Sequence, residues 1–354
     1  MSRPRILVVT TLRDEGPHLL EWVAHTRAAG ADDILAFSND CTDGTDTLLD
    51  ALHDAGALCH VRNEVPEGCT PQWSALKQAA DHPLTRSADW IAVLDCDEFI
   101  NLRAPLATLH DLIAAVPGAD AIVLPWRLFG HAGHLARPAG LTLDTFTRAI
   151  PPDALYPALS RFFKTLYRRE AMQKPGVHRP RQRPGAAPVW VDGSGRRLDS
   201  GFAGRADRIM LWGAPLATGL VQLNHYSVRS VDDFLLKRRR GLPNHTDKSI
   251  DLTYWVERNF NTVADTTISA MAPRTHAEHG ALLAQPAIAE AQDLCLRATK
   301  TALDDALGDP DTVQLMGRLM LAAGSTPLPP AQERAVVDQF RRATARRQKA
   351  QKNA

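Results

Sequence analysis

The sequence predicts an α/β fold, a mostly parallel open sheet flanked by helices with a helical C-terminal extension. Three observations carry this. Through the first third of the 354 residues, short apolar β-branched runs alternate with helical patterns. Each of those runs ends in polar residues. From Asp251 onward the pattern turns helical and includes an alanine-rich stretch at 287–306.

Residues 6–10 form a continuous apolar run, the mark of a strand buried on both faces. Pro17 opens a helix whose stripe is Leu19, Leu20, Trp22 and Val23, with Gly30 placed as its C-cap. Residues 34–37 make a second strand. Asp43-Gly44-Thr45 starts a second helix, apolar over 48–52 and stopped near Gly56. Strands at 58–61, 90–94 and 121–124 and a helix at 72–80 continue the alternation, which implies βαβ crossovers. Residues 129–219 are rich in Pro, Gly, Arg and His and weakly periodic, as functional loops are. Pro327, Pro329 and Pro330 interrupt the helical region, and the basic stretch 341–352 is expected to fray. The expected layout is a domain over 1–250, with halves 1–128 and 129–250, and an extension over 251–354.

Composition narrows the function. Apolar residues at 44% and charged residues at 23% exclude a disordered chain. Lys plus Arg total 41 against 40 Asp plus Glu, a net charge of +1 that speaks against a nucleic-acid partner. No window reaches the roughly 18 apolar residues of a membrane span, and the N-terminus lacks a signal-peptide pattern. Cys41, Cys59, Cys69, Cys96 and Cys295 are odd in number and without C-x-x-C spacing, so a reducing, cytoplasmic setting is expected.

The chemistry concentrates at Asp95-Cys96-Asp97-Glu98, directly after the apolar residues 91–94. Ligands of open parallel sheets bind beyond the carboxyl ends of the strands. Alternate residues of extended chain point to opposite faces, so a turn must begin here for Asp95 and Asp97 to reach one site. Crowded carboxylates repel unless a cation lies between them. Mn²⁺ or Mg²⁺ held by one or two carboxylates and a substrate diphosphate fits that need; a solvated acidic turn is the plainer alternative. No G-x-x-x-x-G-K-[ST] loop and no G-x-G-x-x-G follows the first strand. That strand runs instead into Thr10-Thr11-Leu12-Arg13-Asp14-Glu15, and the second into Ser38-Asn39-Asp40-Cys41-Thr42-Asp43. Asn39 and Asp40 suit contact with a base or ribose, and equally suit turn and cap chemistry.

These motifs, with Glu21-Trp22-Val23, Trp126-Arg127-Leu128-Phe129-Gly130, Phe163-Lys164-Thr165-Leu166, Val177-His178-Arg179-Pro180 and Asn224-His225-Tyr226-Ser227, resemble GT-A-fold glycosyltransferases of family 2 type. The resemblance is to a bacterial subgroup bordering glycosyltransferase family 92, and it covers residues 6–244. It implies a metal-dependent, inverting transfer from a nucleotide sugar, a UDP-sugar first, to a hydroxyl on a glycan, glycolipid or protein acceptor. Cell-envelope or polysaccharide synthesis is the setting it suggests. Under it Thr11 and Asn39 contact the base, Asp95 faces ribose and metal, and Asp97 ligates the metal. Arg13 and Asp40 join the nucleotide site.

Two further groups follow from the chemistry. His225, in a polar cluster after residues 220–223, is a candidate third metal ligand or diphosphate contact, with a structural histidine as the alternative. Lys237, Arg238, Arg239 and Arg240 suit a flexible loop closing over the diphosphate, a solvated basic face, or a patch touching the inner face of an anionic membrane. An inverting transfer needs a base near the acceptor; Asp144, Glu98 and His134 are its candidates. Trp126 and Trp212 are candidates for stacking on sugar rings or for the core. Two rivals stay open: a nucleotide-sugar-forming nucleotidyltransferase, which this chain's first strand end does not suit, and a non-catalytic binding protein on a transferase scaffold. The sequence leaves the oligomeric state open.

Overall fold

The computed structural model describes residues 3–205, 207–212, 216–241 and 250–353. The first α/β run is β1 (Ile6–Leu12), α1 (Gly16–Ala28), β2 (Asp33–Ser38), α2 (Thr45–Asp54), β3 (Cys59–Arg62), α3 (Pro71–Asp81), α4 (Pro83–Ser87) and β4 (Trp90–Val93). Next come β5 (Glu98–Leu102), α5 (Leu109–Ala115) and β6 (Ala121–Leu128). A loop-rich stretch carries α6 (Thr142–Thr145), β7 (Arg148–Ala149), β8 (Phe163–Arg168), β9 (Met172–Lys174), β10 (Arg181–Gln182), β11 (Trp190–Val191) and α7 (Ser200–Ala203). Then follow β12 (Val221–His225), α8 (Val231–Arg240), α9 (Leu252–Val256), β13 (Val263–Ala264), α10 (Ala272–Leu283), α11 (Pro286–Leu307), α12 (Pro310–Leu321) and α13 (Pro330–Asn353).

The central sheet runs β3-β2-β1-β4-β8-β6-β12-β5, with β11 added beside the start of β6. Strands β3, β2, β1 and β4 are mutually parallel, as the alternation implies. The apolar runs are continuous because both faces are covered. Ile6 and Val8 join the core beneath α1 and α2, while Leu7 and Val9 join the core beneath α3. Antiparallel β8 is wedged between β4 and β6, and antiparallel β5 closes the far edge against β12.

Two strands escape the sequence reading in part. β5 begins inside the acidic cluster, at Glu98. β6 continues four residues past the expected end at Leu124, through Pro125. Proline has no N–H for a ladder and is out of place in a central strand. Here the amide of Trp126 bonds toward β8, at 3.0 Å from Phe162 O. Residue 125 therefore faces the other edge, between the end of β11 pairing at Ile122 and the start of β12 pairing at Trp126. No ladder bond is lost there.

The run from Lys237 to Arg240 is not a loop: it is the last turn of α8. A capping box starts that helix, with Ser230 Oγ accepting from Asp233 N at 3.1 Å and Asp233 Oδ2 accepting from Ser230 N at 3.3 Å. Four basic residues in its last turn complement the helix dipole. The stretch expected to fray is likewise helical, within α13. The C-terminal helices pack on the first α/β units. His25 Nδ1 lies 3.0 Å from Thr275 Oγ1 of α10, Arg27 pairs with Glu278, and Cys295 of α11 abuts Gly16.

A Cβ on Gly16 would lie 2.6 Å from Cys295 Sγ and 2.7 Å from Cys295 Cβ. Gly16→Ala therefore forces α11 off α1. The expected loss is about 1–3 kcal/mol, read as a lower urea midpoint. An unchanged midpoint would mean that α11 does not seat there.

Candidate active site

Residues Asp95 to Glu98 form the turn between β4 and β5, closed by Glu98 N donating to Asp95 O at 3.0 Å. This is the turn that two aspartates two residues apart need in order to serve one site. β5 then pairs with β12 so that Glu98 stands opposite His225, and Tyr226 N donates to Asp97 O at 2.8 Å. The ends of β4, β8, β6 and β12 thus converge on the acidic turn.

Each aspartate holds a buried ammonium group. Asp95 Oδ2 accepts from Lys164 Nζ of β8 at 2.9 Å, and its Oδ1 accepts from Gln72 of α3 at 3.1 Å. Lys164 has no exposed side-chain surface and also lies 3.4 Å from Glu98. Burial works against the lysine's charge, but Asp95 and Glu98 hold its pKa above the ordinary value. Glu98 is as fully enclosed, with Oε2 on the Asp95 amide at 2.9 Å; burial pushes its carboxyl well above the usual range despite Lys164. Asp97 Oδ2 accepts from Lys237 Nζ of α8 at 2.8 Å, and Lys237 also donates to Ser227 O at 2.9 Å. Asp97 Oδ1 lies 3.5 Å from His225 Nε2. Burial opposes the Asp97 charge, yet Lys237 and His225 hold the carboxyl well below the usual range. Burial lowers the His225 pKa against the pull of Asp97.

A second ion-pair group braces the first. Glu15, after β1, pairs with Arg229 at 3.1 Å and with Arg240 at the end of α8. Despite burial, Arg240 and Arg229 bring the Glu15 carboxyl down to about 2. Arg240 also donates to the carbonyls of Arg13 and Asp14, and Arg229, at φ 48°, donates to Cys96 O at 3.0 Å. The acidic turn, the β1 end and α8 are tied into one unit.

An aromatic wall stands beside it. The Trp126 ring centroid lies 4.1 Å from His225 and 5.4 Å from both Phe162 and His178. His178 Nδ1 donates to Phe163 O at 2.9 Å, and burial beside Lys164 brings its pKa down to about 4. Trp126 Nε1 and His225 Nδ1 are buried without a hydrogen-bond partner. Trp212 lies elsewhere, with its indole N–H on Leu155 O at 2.8 Å and its ring against Phe340 of α13.

The other sequence candidates have these surroundings. Thr11 is at the end of β1, and Arg13 is half-exposed beside Asp14. Asn39 is buried after β2, its Oδ1 accepting from Asn63 Nδ2 at 3.0 Å, and Asp40 follows at φ 42° on the surface. Arg238 is exposed on α8. Asp144 is half-exposed and 2.8 Å from His276 of α10. His134 rests edge-on against Phe146, with centroids 5.5 Å apart. Lys164, Gln72, Glu15 and Arg229 were not singled out as site residues by the sequence reading. Lys164 had a signal: a charge in the interior of the strand Phe163–Arg168, whose other charge, Arg168, stands at its exposed end. Glu15 and Arg229, some 214 residues apart in sequence, gave none.

Among the described residues no group of three His, Cys, Asp or Glu side chains gathers as a complete metal site. Asp97 Oδ1 and His225 Nε2 do offer one carboxylate and one imidazole donor 3.5 Å apart. Of the two, the carboxylate is the oxygen donor that Mn²⁺ or Mg²⁺ takes together with phosphate oxygens.

A family model for glycosyltransferase family 92 matches residues 10–192, just over half of the 354 residues. No curated protein matches. Among solved structures, S. aureus TarS is similar at 17% identity over 47% of this chain and 29% of its own, with a TM-score of 0.28. TarS 1-349 in complex with UDP gives 16% identity, 47% of each chain and a TM-score of 0.28. Glucosyl-3-phosphoglycerate synthase from Mycobacterium tuberculosis, in complex with Mn²⁺, UDP and glucosyl-3-phosphoglycerate, gives 16% identity over 35% of this chain and 44% of its own, with a TM-score of 0.24. The chain therefore spans less than half the length of each of these three.

Two measurements check the electrostatics. Lys164→Met leaves Glu98 and Asp95 facing an apolar side chain and should cost about 3–5 kcal/mol in urea unfolding; adding Glu98→Gln should recover part of it. Full stability of the single variant would refute the buried pairing. His18, His25 and His178 are all brought down to about 4, chiefly by burial, from an ordinary 6.5. The unfolded chain then binds more protons than the folded one between about pH 6.5 and 4, so stability is lost as pH falls through that window. The urea midpoint should drop across it, and His25→Gln should flatten the drop.

Proposed function

The chain belongs to glycosyltransferase family 92, and from that premise we propose a metal-assisted, inverting transfer of a sugar from a nucleotide sugar, UDP-sugars first, to an acceptor hydroxyl. Cell-envelope or polysaccharide synthesis, at the cytoplasmic side of a membrane, is the setting proposed. Among the described residues no helix is long and apolar enough to cross a membrane.

The observation that carries the proposal is the convergence of Asp97, His225 and Lys237 beyond the ends of β4 and β12. Breaking the bond between a sugar and a diphosphate leaves negative charge on the departing phosphate, and fixed cations lower that barrier. Asp97 and His225 would hold a divalent ion, which supplies Lewis-acid charge for the leaving group. Lys237 stands on the same carboxylate and contributes a second, covalently tethered cation. Asp95, partly open to solvent and steadied by Lys164 and Gln72, faces the ribose side. Thr11, Arg13 and Asp40 line the base side, and the Asn39–Asn63 pair fixes the loop between them. Trp126, buried among His225, Phe162 and His178, backs the imidazole of His225 from the core side.

Inversion requires a single displacement, with the acceptor proton removed as the bond forms. Glu98 is enclosed and has no free approach. Asp144, half-exposed and 2.8 Å from His276 Nε2, takes that role in this proposal.

Thermal-shift titration with UDP, GDP, CDP and TDP, each with and without Mn²⁺, tests the donor site. At a ligand excess of about a hundredfold over Kd, one nucleotide should stabilise the protein by about 2.7 kcal/mol, with metal only. Asp97→Ala should abolish the shift. A shift that survives Asp97→Ala would overturn the metal role, and no shift with any nucleotide would favour a binding protein on this scaffold. Asp144→Asn should keep the nucleotide shift and lower kcat by about 10²–10⁴.

A further inference from the structure

Along the loop-rich side of the sheet lies a groove of about 620 Å³, within the range of small-ligand sites. Pro151, Pro152, Ala154 and Leu155 form one wall, Leu216 the end, and Pro327, Leu328 and Pro330 the other wall. Its lining is therefore largely apolar. The groove adjoins the active site: Arg161 donates to the carbonyls of Pro152 and Ala154, and the next residue, Phe162, stacks in the Trp126–His178 wall.

The charges around the groove are unevenly available. Glu333 is nearly fully buried and accepts from the Leu155 amide at 3.0 Å and the Tyr156 amide at 3.4 Å. Asp153 stands within electrostatic range of the Arg127 and Arg161 guanidinium groups. Arg334 is exposed. Beyond it α13 carries exposed Arg342, Arg346 and Arg347, and exposed Arg341, which lies 3.7 Å from the equally exposed Asp338 and 3.5 Å from Trp212 O; the sequence adds Lys349 and Lys352 with no acidic residue after Asp338. At the lip, Phe340 is 54% exposed and meets Trp212 edge-on, with centroids 4.4 Å apart. Aromatic residues bordered by arginines are what a helix lying on a lipid interface presents. The other basic run is not available for this, because Lys237, Arg239 and Arg240 are engaged with Asp97, Ala302 O and Glu15.

We propose that this groove and the basic face of α13 dock an anionic membrane lipid, with the acyl chain against the proline-rich walls and the phosphate against Arg334 and the α13 arginines. The surface places a lipid-borne acceptor beside the Trp126 wall. That last step rests on the transferase reading; the docking itself does not.

The test is co-flotation of the full chain with phosphatidylcholine vesicles, with and without phosphatidylglycerol. Binding is expected only with the anionic lipid, weakening as salt is raised. Reversal of Arg341, Arg342, Arg346 and Arg347 to Glu should lower partitioning by about a hundredfold or more. Leu328→Asp should lower it by about tenfold. Melting temperatures check that the variants fold; if Leu328→Asp melts early, Leu216→Asp replaces it. Equal binding to neutral vesicles, no binding by the parent chain, or full binding by the Glu variant would overturn the proposal. Loss with the Glu variant but not with either groove variant would overturn the groove's part. The UDP shift of the parent chain, measured in the same preparation, reports separately on the transferase reading.

Discussion

The acidic turn exists because lysines reach it from elsewhere in the chain. Asp95, Asp97 and Glu98 lie within four consecutive residues, and carboxylates so crowded repel one another in a poorly hydrated place. Lys164 enters from β8 and Lys237 from α8, and each meets one aspartate at under 3 Å. Removing one member of such a pair strands the other, so the arrangement is all-or-none. It also dictates architecture: β8 must lie beside β4, and α8 must descend from β12 toward the end of β1.

The same pairing links structure to chemistry. A site for a diphosphate needs positive charge in place before the substrate arrives. On the transferase proposal Lys164, Lys237, Arg229 and Arg240 would supply it; in the protein alone they face Asp95, Asp97, Glu98 and Glu15. Burial works against the charge of Glu98, and Lys164 works for it. Arg240 fastens α8 to the end of β1, so the helix that contributes Lys237 is positioned by the strand end assigned to the nucleotide.

The sheet's parallel half was legible because strands β1 to β4 and their helices depend on local patterns of period 2 and 3.6. The acidic turn was legible because its residues are adjacent. What the sequence hid depends on distant partners. β8 reads as a loop motif because only its neighbours β4 and β6 make it a central strand. The basic residues ending α8 read as a loop because their charge masked the Ser230–Asp233 capping box that starts the helix. The Glu15–Arg229 pair joins residues no local window contains. The bond between Asn39 and Asn63 likewise joins residues two secondary-structure elements apart.

The wedged strand has a consequence for how the protein is made. β4 and β6 do not touch; they are joined only through β8, which follows both in sequence. A nascent chain that has emerged through residue 128 therefore holds one partial sheet, β3-β2-β1-β4, while β5 and β6 still lack the β12 that lies between them, and β4 offers its open ladder to any extended segment nearby. β6 joins that sheet only when residues 163–168 leave the ribosome, β5 only when residues 221–225 do, and the α1 face is covered only when α10 and α11 follow. Most of the chain is thus synthesised before its first half can be shielded, and until then an open strand edge and a bare helix face stand exposed to wrong partners.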